Sequence, residues 1–87
     1  MTIQDIRNYL LKNDCPDSIV FEKPDYADAF IGISTNGNAV YDFDKMVKCL
    51  VEGYGFGYED AIDFINYNTS FCDYSDKNPI IVCRINE

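Results

Sequence analysis

Between Asp42 and Asn68 the chain reads DFDKMVKCLVEGYGFGYEDAIDFINYN, and no other stretch limits the possible folds as strongly. Phe43, Met46, Val47, Leu50, Val51 and Tyr54 recur at i, i+3, i+4, i+7, i+8 and i+11, the spacing that puts apolar side chains on one stripe of a helix. On the other side, Asp44, Lys45, Lys48 and Glu52 cancel in charge, with Asp44–Lys48 and Lys48–Glu52 predicted as pairs of about 0.2–0.5 kcal/mol each. Asp42 stands where an N-cap carboxylate accepts an amide hydrogen bond from the first turn. Gly53-Tyr54-Gly55-Phe56-Gly57 has the look of a phosphate loop in the wrong context. A dinucleotide fingerprint needs a preceding strand and a P-loop a following lysine, whereas a helix precedes these glycines and Glu59-Asp60 follow. The glycines therefore predict a corner: Gly55 as a left-handed C-cap, Phe56 buried in the bend, and Gly57 capping a further helix. That helix runs about from Tyr58 to Tyr67, with Tyr58, Ala61, Ile62 and Ile65 inward and Phe64 at the flank.

The remaining segments supply what these helices pack against. Thr2 and Asp5 have capping-box spacing, and Ile3, Ile6, Leu10 and Leu11 form the apolar stripe of a first helix that ends before Cys15-Pro16. Ser18-Ile19-Val20-Phe21-Glu22, stopped by Pro24, predicts a short strand. Ala29–Ser34 and Asn38–Tyr41 flank Asn36-Gly37, the dipeptide of tight hairpin turns, so two paired strands are expected. Within the first of them, Gly32 marks either a bulge or a close approach of another group. A polar segment from Asn68 to Asn78 leads to a closing strand, Ile80–Ile85. The predicted order is αβββααβ, a single α+β domain over residues 1–87 with a mostly antiparallel sheet of three to four strands packed with helices.

Function classes narrow by elimination. Histidine is absent, which removes the commonest general base and all imidazole metal ligation. The four cysteines, Cys15, Cys49, Cys72 and Cys83, lie 34, 23 and 11 residues apart, without a CxxC pair for zinc or redox chemistry. Asp42 and Asp44 are better explained by capping and pairing than by a metal, and DYSDKN lacks the glycine and terminal glutamate of a calcium loop. Neither a cofactor nor catalysis is expected. MTIQDIRNYLLKND lacks the basic leader and apolar run of a targeting segment, and no stretch approaches 18 apolar residues. A soluble, cytoplasmic protein with reduced cysteines follows as the expectation.

Net charge is −8, which disfavours direct binding to nucleic acid or anionic membrane and favours a basic protein partner. The charge is not evenly spread. From Gly53 through Asp76 there is no lysine or arginine, while Glu59, Asp60, Asp63, Asp73 and Asp76 all fall there. Glu59, Asp60 and Asp63 sit at i,i+3 and i,i+4 spacing, where like charges are mildly unfavourable for the helix. Carboxylates spaced in this way, with Cβ atoms about 5–6 Å apart, form a charge pattern that resembles a nucleic-acid backbone. Tyr54, Tyr67 and Tyr74 are placed to add aromatic anchors. The predicted binding surface comprises Glu59, Asp60, Asp63, Tyr67, Asp73, Tyr74 and Asp76.

Three motifs carry a resemblance: YADAFIG at Tyr26–Gly32, VYDFDKM at Val40–Met46, and YEDAIDFINYNT at Tyr58–Thr69. With them the chain resembles a largely uncharacterised family of small proteins from Firmicutes, their phages and mobile elements. It differs from that family in having Gly57 where serine stands, and in the segment SFCDYSDKN after Asn68-Thr69. The resemblance brings no catalytic residues. It implies a phage or mobile-element setting, in which small acidic domains inhibit host defence nucleases. The expectation is thus a DNA-mimicking, anti-CRISPR or anti-restriction inhibitor. The alternative is a regulatory or structural interaction domain, homodimeric and without mimicry. A third reading, thiol catalysis by Cys72 or Cys83, lacks any spacing that would activate the thiol.

Overall fold

In the computed structural model, which describes residues 1–69 and 77–83, the order is α1 (Ile3–Lys12), a 3₁₀ turn (Ala27–Ala29), β1 (Phe30–Ile33), β2 (Ala39–Asp42), α2 (Phe43–Tyr54), α3 (Tyr58–Thr69) and β3 (Ile80–Val82). Over the described residues the fold is a small α+β domain with three α-helices and a three-stranded sheet, the class that the sequence predicts. Strand order is β1-β2-β3. β1 and β2 form the antiparallel hairpin, and β3 joins β2 in parallel with Val40, Tyr41 and Asp42 opposite Ile80, Ile81 and Val82. A parallel neighbour needs a long crossover, and α2, the glycine corner and α3 lie within it.

Local signals set the helix ends. Thr2 Oγ1 accepts from the Asp5 amide at 3.1 Å while the Asp5 carboxylate accepts from the Thr2 amide at 2.9 Å, completing the capping box. That amide holds the Asp5 carboxyl below the usual range. At the other end of α1, the Cys15 amide returns to Leu10 O at 2.8 Å and the Asp14 amide to Leu11 O at 3.2 Å. This is a Schellman closure with Asp14, at φ 60°, in the position usually taken by glycine. Asp42 Oδ1 accepts from the Lys45 amide at 3.1 Å, and Gly55 closes α2 at φ 75°. The Gly57 carbonyl accepts the first helical hydrogen bond of α3, from Ala61 at 2.9 Å, so this glycine is the N-cap.

The hairpin turn is one residue longer than a two-residue Asn-Gly turn. Ser34 pairs with Asn38 O at 2.8 Å, the Gly37 amide reaches Ser34 O at 2.9 Å, and of Asn36 and Gly37 only the glycine has positive φ, 86°. A type I turn followed by a left-handed glycine fits the twist of the flanking strands as well as the shorter turn does. Gly32 resolves as a bulge: Phe30 faces Tyr41 and Gly32 faces Val40, which leaves Ile31 as the extra residue. A Cβ at Gly32 would meet nothing within 4 Å, which excludes a close approach.

The predicted strand at Ser18–Glu22 does not form. Its β propensity is overridden because other groups take its amides: Ile19 N–H reaches Lys77 O at 3.0 Å and Phe21 N–H the Tyr41 hydroxyl at 3.3 Å. Val20 enters the core and Phe21 covers it, while Arg7 of α1 pairs with Glu22. The closing strand is shorter than predicted, ending at Val82, and its predicted last two residues lie outside the described region.

The core joins Ile6 and Leu10 of α1, Tyr41 of β2, Met46, Val47 and Leu50 of α2, and Ala61 and Ile65 of α3. A chain of edge-to-face rings, Tyr9–Phe30–Tyr41–Phe21–Tyr26, runs from the exposed Tyr9 into this core at Tyr41 and Tyr26, with centroid separations of 4.9–5.9 Å. Four residues read as inward lie outward: Leu11, Val51, Tyr54 and Tyr58, the last 65% exposed. Each stands at the margin of its stripe, where a small core has nothing left to lay against it.

Candidate binding surface on the third helix

α3 is held by Ala61 and Ile65, both buried, with Ile62 and Phe64 packed at the core margin. Because successive residues turn by about 100°, fixing Ala61 and Ile65 inward fixes Glu59, Asp60 and Asp63 on the opposite side. All three are exposed, as are Tyr58 and Tyr67, the latter at 71%. Among the described residues the ion pairs are the Met1 ammonium with Asp28, Arg7 with Glu22 and Lys48 with Glu52. None includes an α3 carboxylate. Lys48 takes Glu52 at 3.8 Å, so the predicted Asp44–Lys48 pair is not made. Of the predicted surface, Glu59, Asp60, Asp63 and Tyr67 are thus brought onto one helix face, whereas Asp73, Tyr74 and Asp76 lie outside the described residues.

Beside that face runs a groove of about 380 Å³ lined by Lys23, Pro24, Tyr54, Phe56 and Phe64. Phe56, expected to be buried in the corner, is only partly so. It stands edge-to-face with Phe64, centroids 5.1 Å apart and planes at 73°. Tyr54, expected on the core stripe, is 50% exposed, and its hydroxyl accepts from the Asp25 amide at 2.8 Å. The left-handed turn at Gly55 separates Tyr54 and Phe56 and brings both to one wall, an outcome foreshadowed by the aromatic–glycine alternation of the corner. Nothing in the sequence signals Pro24, which arrives from 30 residues earlier.

A larger cleft, about 640 Å³, lies along α2 beside the 3₁₀ turn, with Asp28, Lys45, Lys48, Cys49 and Glu52 in its lining. Its charges largely compensate one another, the Met1 ammonium lying 3.6 Å from Asp28 and Lys48 pairing with Glu52. Burial, then Asp28, pushes the Cys49 thiol up, away from the thiolate a nucleophile needs. Among the described residues no group of three or more Cys, Asp or Glu side chains is placed to hold a metal ion, and no helix is long and apolar enough to cross a membrane. No protein-family model, curated protein or solved structure matches this chain, so the chemistry of the α3 face and its groove carries the functional reading.

Proposed function

We propose that this protein is a non-catalytic cytoplasmic binding domain that presents the acidic face of α3 to a basic protein partner, as an inhibitor of a host defence nuclease would. The observation that carries the reading is the row Glu59, Asp60 and Asp63, exposed on one helix face with no cation paired to it among the described residues. Like charges at this spacing disfavour the helix by a few tenths of a kcal/mol each, and Asp63 is beyond the first turn, where the helix dipole would offset that. A cationic channel built for phosphates gives the row an energetic use: carboxylates stand in for the backbone charges, and long-range attraction speeds the encounter.

Capture of partners from host lysate at low and high salt tests the reading. The wild-type chain is expected to retain a nucleic-acid-binding protein at low salt and to release it near 1 M salt, where the screening length falls to about 3 Å. Glu59→Lys/Asp60→Lys/Asp63→Lys, folded to the same extent by circular dichroism, is expected to retain none. Capture unaffected by the triple reversal, or a salt-insensitive homodimer that uses this face, overturns it.

A further inference from the structure

We infer that the groove between Pro24, Tyr54, Phe56 and Phe64 receives an apolar anchor from a basic segment of the partner, whose lysines or arginines pair with the carboxylates of α3. This rests on the acidic-face reading and adds to it a second recognition element. The groove is pre-organised. Phe56 and Phe64 brace each other edge-to-face, Tyr54 is tethered through its hydroxyl to the Asp25 amide while remaining half exposed, and Pro24 adds a rigid ring to the lining. Walls already ordered before binding lose little freedom when an anchor enters, and aromatic walls are where anchors contribute most. At about 380 Å³ the space is near the lower end of ligand-sized pockets, roughly 300–1,000 Å³, and suits side chains of a peptide better than a cofactor.

Charge selects the occupant. Passing round α3 from Phe64 at about 100° per residue, Asp60 and Tyr67 come next, then Asp63, then Glu59. Carboxylates therefore begin one helical turn from the groove and continue away from it. A segment that seats a leucine, methionine or phenylalanine against Phe56 and Phe64 lays its flanking cations over Asp60 and Asp63. A neutral apolar segment gains only the first contact, and a nucleic acid is repelled by the second. Lys23 lines the groove as well, and its charge is the one feature there that opposes a cationic occupant.

Three synthetic helical peptides of one length separate the contributions: a Lys/Leu amphipath, a Lys/Gln peptide of equal charge, and a Glu/Leu amphipath. Each is titrated into the isotope-labelled full chain. The Lys/Leu peptide is expected to bind at least about tenfold more tightly than the Lys/Gln peptide and to shift the amide signals of Phe56 and Phe64 together with Asp60 and Asp63. Phe64→Ser should erase that advantage. Because Phe64 also packs on the core, Tyr54→Ala, with an otherwise native spectrum, provides the second variant. Lys23→Ala should tighten Lys/Leu binding. Equal affinity for the two basic peptides overturns the groove inference and leaves the acidic face standing. Failure of both to bind removes the acidic-face reading and the groove with it. Glu/Leu binding as tight as Lys/Leu overturns the assignment of charge.

Discussion

The molecule uses its aromatic rings in two opposite ways. Around Tyr41, five rings from α1, both hairpin strands and the connecting segment interlock edge-to-face, and Tyr41 itself is sealed from solvent. At the glycine corner, Phe56 and Phe64 make the same edge-to-face contact at similar distance, yet these rings and Tyr54 line an open groove. The geometry of the pairs does not distinguish them. What differs is the depth of burial. Tyr41 is covered from several sides, whereas Phe56 and Phe64 are only partly buried and line the groove together with Pro24. The same contact therefore serves stability in one place and is available for recognition in the other.

Substitution at the two centres puts the largest test on that contrast. Tyr41→Ala should destabilise the fold by about 3–5 kcal/mol, since a fully buried ring leaves a cavity that cannot collapse, whereas Phe64→Ala should cost about 1–2 kcal/mol. Chemical denaturation of both variants measures the difference. Equal losses would mean that the corner is as much core as the sheet.

Alkaline pH probes the sealed centre from the other direction. Burial lifts the Tyr26 phenol from 10.0 to about 12 and also raises Tyr41. A raised folded-state value stabilises fully below the unfolded tyrosine pKa of about 10 and is lost as pH rises through the folded value. Stability should accordingly decline between about pH 10 and 12, with phenolate absorbance and loss of structure advancing together. Loss of structure that precedes all phenolate formation would break the linkage.

The smallest effect comes from a residue outside both centres. Asp14 holds a left-handed conformation at the end of α1, and Asp14→Gly should stabilise the chain by about 0.5–1 kcal/mol by relieving the Cβ–carbonyl contact. Thermal unfolding reads the gain directly. If it raises stability without altering peptide affinity, the α1 end and the α3 groove are energetically independent.

How much could be read in advance follows the range of each interaction. Thr2 with Asp5, Asp42 with Lys45, and Gly55 at the α2 terminus act within a few residues, and each was visible in the sequence as a spacing or a dipeptide. The acidic face was legible for the same reason, since helical periodicity alone places Glu59, Asp60 and Asp63 together once Ala61 and Ile65 are inward. Tyr54 was misread because i+11 from Phe43 extends the stripe past the last residue that the core can cover. Ser18–Glu22 was misread because its composition suits a strand, whereas the Tyr41 hydroxyl and Lys77 carbonyl that take its amides come from later in the chain.

By itself, then, the sequence determined the helices, their N-caps and the Gly55 C-cap, the hairpin, the corner and the acidic stripe, because backbone hydrogen bonds and apolar periodicity operate over one or two turns. Tertiary structure alone decided that β3 lies parallel to β2, that the Ser18–Glu22 segment packs without pairing, and that Pro24 meets Phe56 and Phe64 to form a groove beside that stripe. These outcomes depend on which distant surfaces remain uncovered after the local elements have formed. Packing of the whole chain settles that competition.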